Sequence, residues 1–414
     1  MIWRANVERA LAAFCVLVMV SGCSTTGSLA SQHNRPPAAI PAPFDGAAVL
    51  PPADMTDDGP GSLIAVEPLE DNPDFDRVNV TAVRVVYRST NAKGSPTTVS
   101  GIVAVPPGDP PTGGWPILSF GHELTGVLKD CAPSLSQNLG GYASVVSVLV
   151  DRGYIVAMTD YEGLGEDGPH PLLDSNALGR NMIDAVRAAR HVLPAASNRW
   201  AAFGLGQGGA ATWSADALAA TYGGGLELVG AIAVSPLADV TALADEMEAE
   251  KLAPAQFRLA MLIVSSLALS PDKRINPEDF VSENAKALWG YLTNCAVVDP
   301  AQAVAAAAGL QPADLKPKTP AAADELRRNL QELALPGPAR LSAPMLVVYA
   351  TIDPVVPSAW IEQAVRAACA NGDPIEIKKI GDVSAINDIV LYDSVAWMQG
   401  RFGGQRPANV CVGV

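Results

Sequence analysis

Residues Arg199 to Ser214 read RWAAFGLGQGGAATWS. An apolar run of strand length, Trp200 to Phe203, meets four glycines in six residues, Gly204-Leu205-Gly206-Gln207-Gly208-Gly209, and Ala-rich sequence suited to a helix follows. Two devices share this strand, tight turn and helix. One presents a nucleophile on a sharp elbow, Gly-x-Ser-x-Gly. The other cradles a dinucleotide with Gly-x-Gly-x-x-Gly, which Gly204, Gly206 and Gly209 satisfy. The surrounding chain decides between them.

Short apolar runs recur on both sides of the turn. Thr81 to Arg88 and Thr98 to Val105 alternate and flank a turn containing Asn91 and Gly94, which predicts an antiparallel pair. Pro116 to Phe120, Tyr154 to Met158, Trp200 to Phe203, Gly230 to Val234, Met345 to Ala350 and Ile375 to Ile380 are nearly continuous, as parallel strands buried on both faces read. Helical periodicity lies between them. Leu178, Met182, Val186, Ala189 and Leu193 share one face, with Arg180, Asp184, Arg187 and Arg190 directed elsewhere and His191 on the surface. This pattern predicts an α/β fold with a mostly parallel sheet of eight strands.

The dinucleotide reading fails on position. Its fingerprint belongs after the first strand of its unit, with an acidic residue ending the next strand. Here four strands precede the glycines, and the nearest acidic residue, Glu227, comes before the next strand. No nicotinamide or other cofactor is expected. A net charge of -15 also excludes nucleic acid, which needs clustered Lys and Arg on its partner. No His/Cys cluster has zinc-site spacing, so no metal is expected.

At the N-terminus, Arg4 and Arg9 precede the apolar run Leu11 to Val20, which is short for a membrane span, and Val20-Ser21-Gly22-Cys23 follows. This resembles the bacterial lipobox. It implies a signal peptide over 1–22, a lipid on Cys23 and anchorage to the outer face of the cell membrane. Residues 23–60, rich in Ser, Thr, Ala, Gly and Pro, read as a flexible tether that carries His33. Residues 61–414 form the folded domain. Cys131, Cys295, Cys369 and Cys411 remain, enough for two disulfides in an exported chain, with three possible pairings.

Between the sixth and seventh expected strands, about 237–341, lie roughly a hundred residues of mostly helical pattern, too long for a loop. Phe257 to Leu269 is its most apolar part. The segment reads as a helical cap over the carboxyl edge of the sheet or, equally, as an extra packed lobe.

Ile117 to Ser134 reads ILSFGHELTGVLKDCAPS, and the stretch after Asp151 includes RGYIVAMTDYEGLGEDGPHPLLD. These resemble the secretory lipase family of α/β-hydrolases, whose members carry HGTTG…CAPS and GY-x-V-x-x-x-DYEGLG segments. The resemblance runs from about residue 60 to the C-terminus. It implies the α/β-hydrolase fold and ester hydrolysis by a Ser-Asp-His triad in that order. It also pairs Cys131 with Cys295 and Cys369 with Cys411, and it places oxyanion and binding contacts at Gln207 and Asp160.

Two of the three triad positions are empty of chemistry. Gly206 stands where the serine belongs, Asp353 in YATIDPVVP matches the acid, and Ala385 stands where the histidine belongs. No realignment restores the base, because the four histidines are His33, His122, His170 and His191, all before Asp353. Ser384, beside Ala385, has no base to deprotonate it. His122 corresponds to a family histidine beside the oxyanion loop and reads as a packed structural residue. The family glycine after it is Glu123 here, an acid near the oxyanion region. Asp160 reads equally as an oxyanion helper or a strand-end cap.

Losing the serine or the histidine of a triad costs about a millionfold in turnover, and losing both costs little more. The expectation is a pseudoenzyme that keeps an acyl or lipid pocket or an interaction role. The alternative is an active carboxylic ester hydrolase using other residues.

Overall fold

The computed structural model describes residues 50–69, 72–295, 300–386 and 388–411. The lipobox cysteine Cys23, the signal peptide, His33 and most of the tether lie outside them. One sheet runs through the molecule. Its strands are β1 (Leu63–Pro68), β2 (Thr81–Thr90), β3 (Pro96–Val105), β4 (Ile117–Gly121), β5 (Ile155–Thr159), β6 (Arg199–Leu205), β7 (Glu227–Val234), β8 (Met345–Ile352) and β9 (Ile375–Asp382). The spatial order is β1-β2-β3-β5-β4-β6-β7-β8-β9. The first three strands and the β3–β5 contact are antiparallel, and every pairing from β5 through β9 is parallel. This is the α/β-hydrolase arrangement.

The sheet has nine strands, not the eight expected. The extra one, β1, reads LIAVEP and buries only Leu63 fully, so it shows neither strict alternation nor a continuous apolar run. An edge strand covered on few positions carries little of the signal on which strand reading depends. The β2–β3 pair forms as expected, with Thr81 opposite Val105.

Both faces of the sheet are covered. Ile117, Ile155, Trp200, Ala202 and Val347 point to one side and pack on the helices Ser175–Val192 and Gln207–Tyr222. Leu118, Phe120, Val156, Phe203 and Val348 point to the other, beneath the helix Ala143–Asp151. The period of two along each strand produces this division.

One charged residue departs from its expected place. Asp184 on the Ser175–Val192 helix is fully buried, and its carboxylate accepts hydrogen bonds from Ser89 Oγ (2.8 Å) and the Tyr222 hydroxyl (2.7 Å) and pairs with Arg187. The helix is covered on more than one side, so its second face is a polar interior rather than solvent. His191 lies partly buried beside Asp54 and Asp57, at 3.7 and 3.5 Å.

The long insertion runs between β7 and β8. Its described helices are Ala242–Glu248, Phe257–Leu269, Glu283–Thr293, Pro300–Ala308 and Pro320–Leu333. Its two stems close on each other where Leu335 N–H donates to Ala238 O at 2.7 Å. The re-entering stem is held by two buried carboxyls. Asp216 Oδ1 accepts from Ser342 N–H (2.8 Å) and Ala343 N–H (2.9 Å), and Asp373 Oδ1 accepts from Leu341 N–H (3.0 Å). Phe257–Leu269 is buried over most of its length. No helix among the described residues is long and apolar enough to cross a membrane.

Candidate active site at the glycine elbow

The sheet register brings the site together. Gly121 at the end of β4 lies opposite both Thr159 of β5 and Gly204 of β6, so the carboxyl ends of three strands are level. The chain leaving β4 therefore passes beside the chain turning at the end of β6.

At that turn Gly206 has φ +55° and ψ -113°, a left-handed region costly for residues with a Cβ. Its N–H donates to Val234 O at 2.9 Å, and its carbonyl accepts from Leu237 N–H at 3.0 Å. The flanking glycines are demanded by packing. A Cβ on Gly208 would stand 2.0 Å from Gly121 O, and one on Gly204 would stand 2.1 Å from Gly208 O. These contacts seat the helix Gln207–Tyr222 directly on the strand ends. A Cβ on Gly206 meets nothing closer than Glu123 Cγ at 3.5 Å and Glu123 Oε1 at 3.6 Å. Space for a side chain at 206 exists.

That space is faced by a carboxyl. Glu123, partly buried, has its N–H bonded to the Tyr142 hydroxyl at 3.1 Å. Burial, and then the charge of Asp353, push its carboxyl up to about 7. Asp353 follows β8. Its Oδ1 accepts from Val355 N–H (2.8 Å) and Val356 N–H (3.0 Å), while burial, opposed by those bonds, raises its carboxyl above the usual range. Asp382, at the end of the neighbouring strand β9, adds to that rise. Gly206, Glu123 and Asp353 therefore share one small region.

Ala385 does not complete it. It lies exposed on the short turn Val383–Ala385 beyond β9. Ser384 beside it is exposed and donates both hydroxyl (2.6 Å) and N–H (2.9 Å) to Asp382 Oδ1. Neither offers a base.

The buried histidines are committed elsewhere. His122 Nδ1 lies 2.6 Å from Glu123 O, its ring stacks 4.6 Å from Tyr161, and burial lowers its pKa. It is a packing residue of the turn after β4. His170 donates Nδ1–H to Glu162 O (2.8 Å) and accepts at Nε2 from the Gln207 amide (2.7 Å), and burial pulls its pKa down to about 4. The second N–H of that amide goes to Leu172 O at 3.0 Å, which orients the amide, because both its neighbours are acceptors. Gln207 Oε1 is left buried without a partner. The Gln207 side chain is thus a strut, and only its main-chain N–H, at the first position of a helix, suits an oxyanion role.

Asp160 is a latch. Its carboxylate accepts from Ser100 Oγ (2.6 Å), Ser134 N–H (2.9 Å) and Ser134 Oγ, and its own N–H goes to Ser100 O at 2.9 Å. With its N–H consumed in the sheet it has no donor left for an oxyanion, which corrects that half of the expectation. It holds the CAPS segment onto the strand end. Next to it Cys131 is bonded to Cys295, across 164 residues, and Cys369 is bonded to Cys411, across 42. Arg258 joins the same corner, donating to Asn294 O (3.0 Å) and Thr125 O (3.4 Å). Among the described residues no group of three or more His, Cys, Asp or Glu could hold a metal ion.

The Gln207–His170 strut was invisible in the sequence, where the two lie 37 residues apart. Glu123 was visible as a departure from a glycine, but its position over Gly206 needed the strand register.

The sequence profile of the secretory lipase family matches residues 139–409. A relative in Mycobacterium tuberculosis, named "probable inactive lipase", is 25% identical over 350 residues, covering 79% of this chain and 74% of its own. Among solved structures, Candida antarctica lipase A in its closed state is similar with a TM-score of 0.68 at 19% identity, over 90% of this chain and 89% of that one. The rice cell wall degrading esterase LipA from Xanthomonas oryzae is similar with a TM-score of 0.64 at 18% identity, over 84% and 99%. At such identities the structures speak for the fold alone.

Proposed function

The chain belongs to the secretory lipase family, and we propose that it is a catalytically silent member that keeps the hydrolase fold as a binding protein. One observation carries this reading. The residue at the nucleophile position is Gly206, and the carboxyl of Glu123, not a base-activated hydroxyl, faces the space where a nucleophile would project. A carboxylate there opposes the negative charge that an acyl transition state develops. With no histidine after His191, a serine restored at 206 alone would still lack its base. The name of the mycobacterial relative agrees with this reading.

The ligand is an acyl chain or other lipid, held in the space that a hydrolase would give its substrate. Two disulfides suit an exported chain. The finer placement, a diacylglyceryl group on Cys23 with 23–60 as tether, rests on the lipobox sequence. Detergent partition of the exported protein tests it, with Cys23→Ala expected in the aqueous phase.

The test of silence is hydrolysis of short-chain p-nitrophenyl esters. The wild type is expected at the background rate. The triple variant Glu123→Gly, Gly206→Ser, Ala385→His is expected to gain turnover that Asp353→Asn removes. Wild-type turnover abolished by Asp353→Asn would overturn the proposal.

A further inference from the structure

A cleft lined by none of Gly206, Glu123 and Asp353 lies elsewhere in the fold. It lies between the β2–β3 turn, the loop from Glu162 to Asp174 and the end of the Phe257–Leu269 helix, and encloses about 130 Å³. Its apolar wall is Leu173, Ala177, Ile263 and Leu267, all buried. A dry cavity of roughly 150 Å³ takes a benzene molecule, so the space suits a ring or a chain of about six carbons.

The polar groups around it sort into committed and uncommitted ones. His170 on the wall uses both ring nitrogens, one on Glu162 O and one on the Gln207 amide, so it is neutral. Ser266 donates its hydroxyl to His170 O (2.7 Å) and accepts from Leu172 N–H (3.2 Å). The two cations at the mouth are neutralised: Lys93 by Asp272 at 2.6 Å, and Arg274 by Glu332 at 3.0 Å. Two carboxyls remain. Neither Glu162 nor Asp174 forms a salt bridge among the described residues. Asp174 accepts from Ala177 N–H (3.4 Å) and Asn176 N–H at the start of its helix, with Arg274 and Arg180 partly offsetting its charge. Glu162 has the Thr97 hydroxyl, and its charge is opposed by that of Asp174. Burial raises both carboxyls, outweighing for Asp174 the two arginines nearby.

We infer that this cleft binds a small cationic amphiphile, its apolar body against Leu173, Ile263 and Leu267 and its ammonium group on Glu162 and Asp174. The inference rests on the reading of the chain as a binder, and it adds to the lipid proposed at the elbow a second, positively charged ligand at this site. A fatty acid would bring a third negative charge to the two already there.

Three probes of one size decide it: hexylamine, which is protonated at neutral pH, hexan-1-ol and hexanoate, titrated into the wild-type protein at low salt with calorimetric or NMR detection. Hexylamine is expected to bind about tenfold more tightly than hexan-1-ol, the worth of one partly screened ion pair, and hexanoate more weakly than either. Glu162→Gln, isosteric and partly exposed, is expected to remove most of the hexylamine advantage and leave hexan-1-ol unchanged. Leu267→Trp, which fills the apolar wall, is expected to weaken all ligands that bind there, with folding of each variant checked by circular dichroism. Equal affinity for hexanoate and hexylamine, or an unchanged hexylamine advantage in Glu162→Gln, overturns the inference. Ester turnover by the wild type would instead overturn the binding-protein reading and leave these titrations as they stand, so the two failures are distinct.

Discussion

The carboxyl of Glu123 faces Gly206 so closely that a single methyl group placed on the glycine would touch it, at 3.5 Å from Cγ and 3.6 Å from Oε1. The two positions share one volume. A residue with a side chain at 206 and a glycine at 123, or the reverse seen here, both fill it, so the two identities are sterically compatible.

The glycines of the elbow should separate by mechanism. Gly206→Ala places a Cβ in ordinary van der Waals contact with Glu123 at a left-handed φ, and should cost about 1–2 kcal/mol. Gly208→Ala drives a Cβ into the Gly121 carbonyl and should cost several-fold more or prevent folding. Urea unfolding of the two variants checks the order, and the reverse order would remove packing as the reason for the flanking glycine.

Stability should fall as the solution is made alkaline. The ordinary carboxyl values are 4.5 for Glu123 and 3.8 for Asp216, and burial raises them to about 7 and about 8 in the folded chain. A group raised on folding stabilises fully below its unfolded value and loses that contribution as pH rises through its folded one. The Glu123 part is lost between 4.5 and about 7, the Asp216 part between 3.8 and about 8. Asp216→Asn keeps an oxygen for Ser342 and Ala343 and places an amide where Oδ2 now lacks a partner. Melting curves from pH 5 to pH 9 should be flatter for Asp216→Asn than for the wild type, and parallel profiles would refute the assignment.

Cys131–Cys295 closes a far longer loop than Cys369–Cys411. In the chain-entropy model the two are worth about 5 and about 4 kcal/mol. Replacing either pair by serines should lower the denaturant midpoint strongly, the long-loop pair more so. Equal midpoints with and without reductant would show that neither bond constrains the unfolded chain.

Asp160→Ala should strip Ser100 and Ser134 of their shared acceptor and cost about 2–4 kcal/mol, since buried donors lose charged partners. Limited proteolysis should then cut first near Cys131 to Leu135. Asp160→Ala protein with unaltered stability would mean the latch carries no load.

Much of the architecture could be read from residue order, because strands buried on both faces announce themselves as short apolar runs and a glycine turn after one of them announces an elbow. β1 could not, since an edge strand with one buried residue has no such run. The loss proposed at Gly206 and Ala385 rests on residue identity alone and was legible as such. The meeting of Glu123 with Gly206 was not, because it depends on Gly121 and Gly204 standing level across two strands far apart in sequence. Asp184 misled for a related reason: helical periodicity marks one buried face, and a second face buried by polar partners leaves no periodic trace.

The Cys131–Cys295 bond, with Arg258 holding Asn294 beside it, fixes one corner of the insertion to the strand-end loops. The other end is moored as well, by Leu335 N–H on Ala238 O and by Asp216 and Asp373 on the re-entering stem. The insertion is thus clasped at two separate places, which ties it to the sheet as a strap buckled at both ends rather than as a leaf on one hinge.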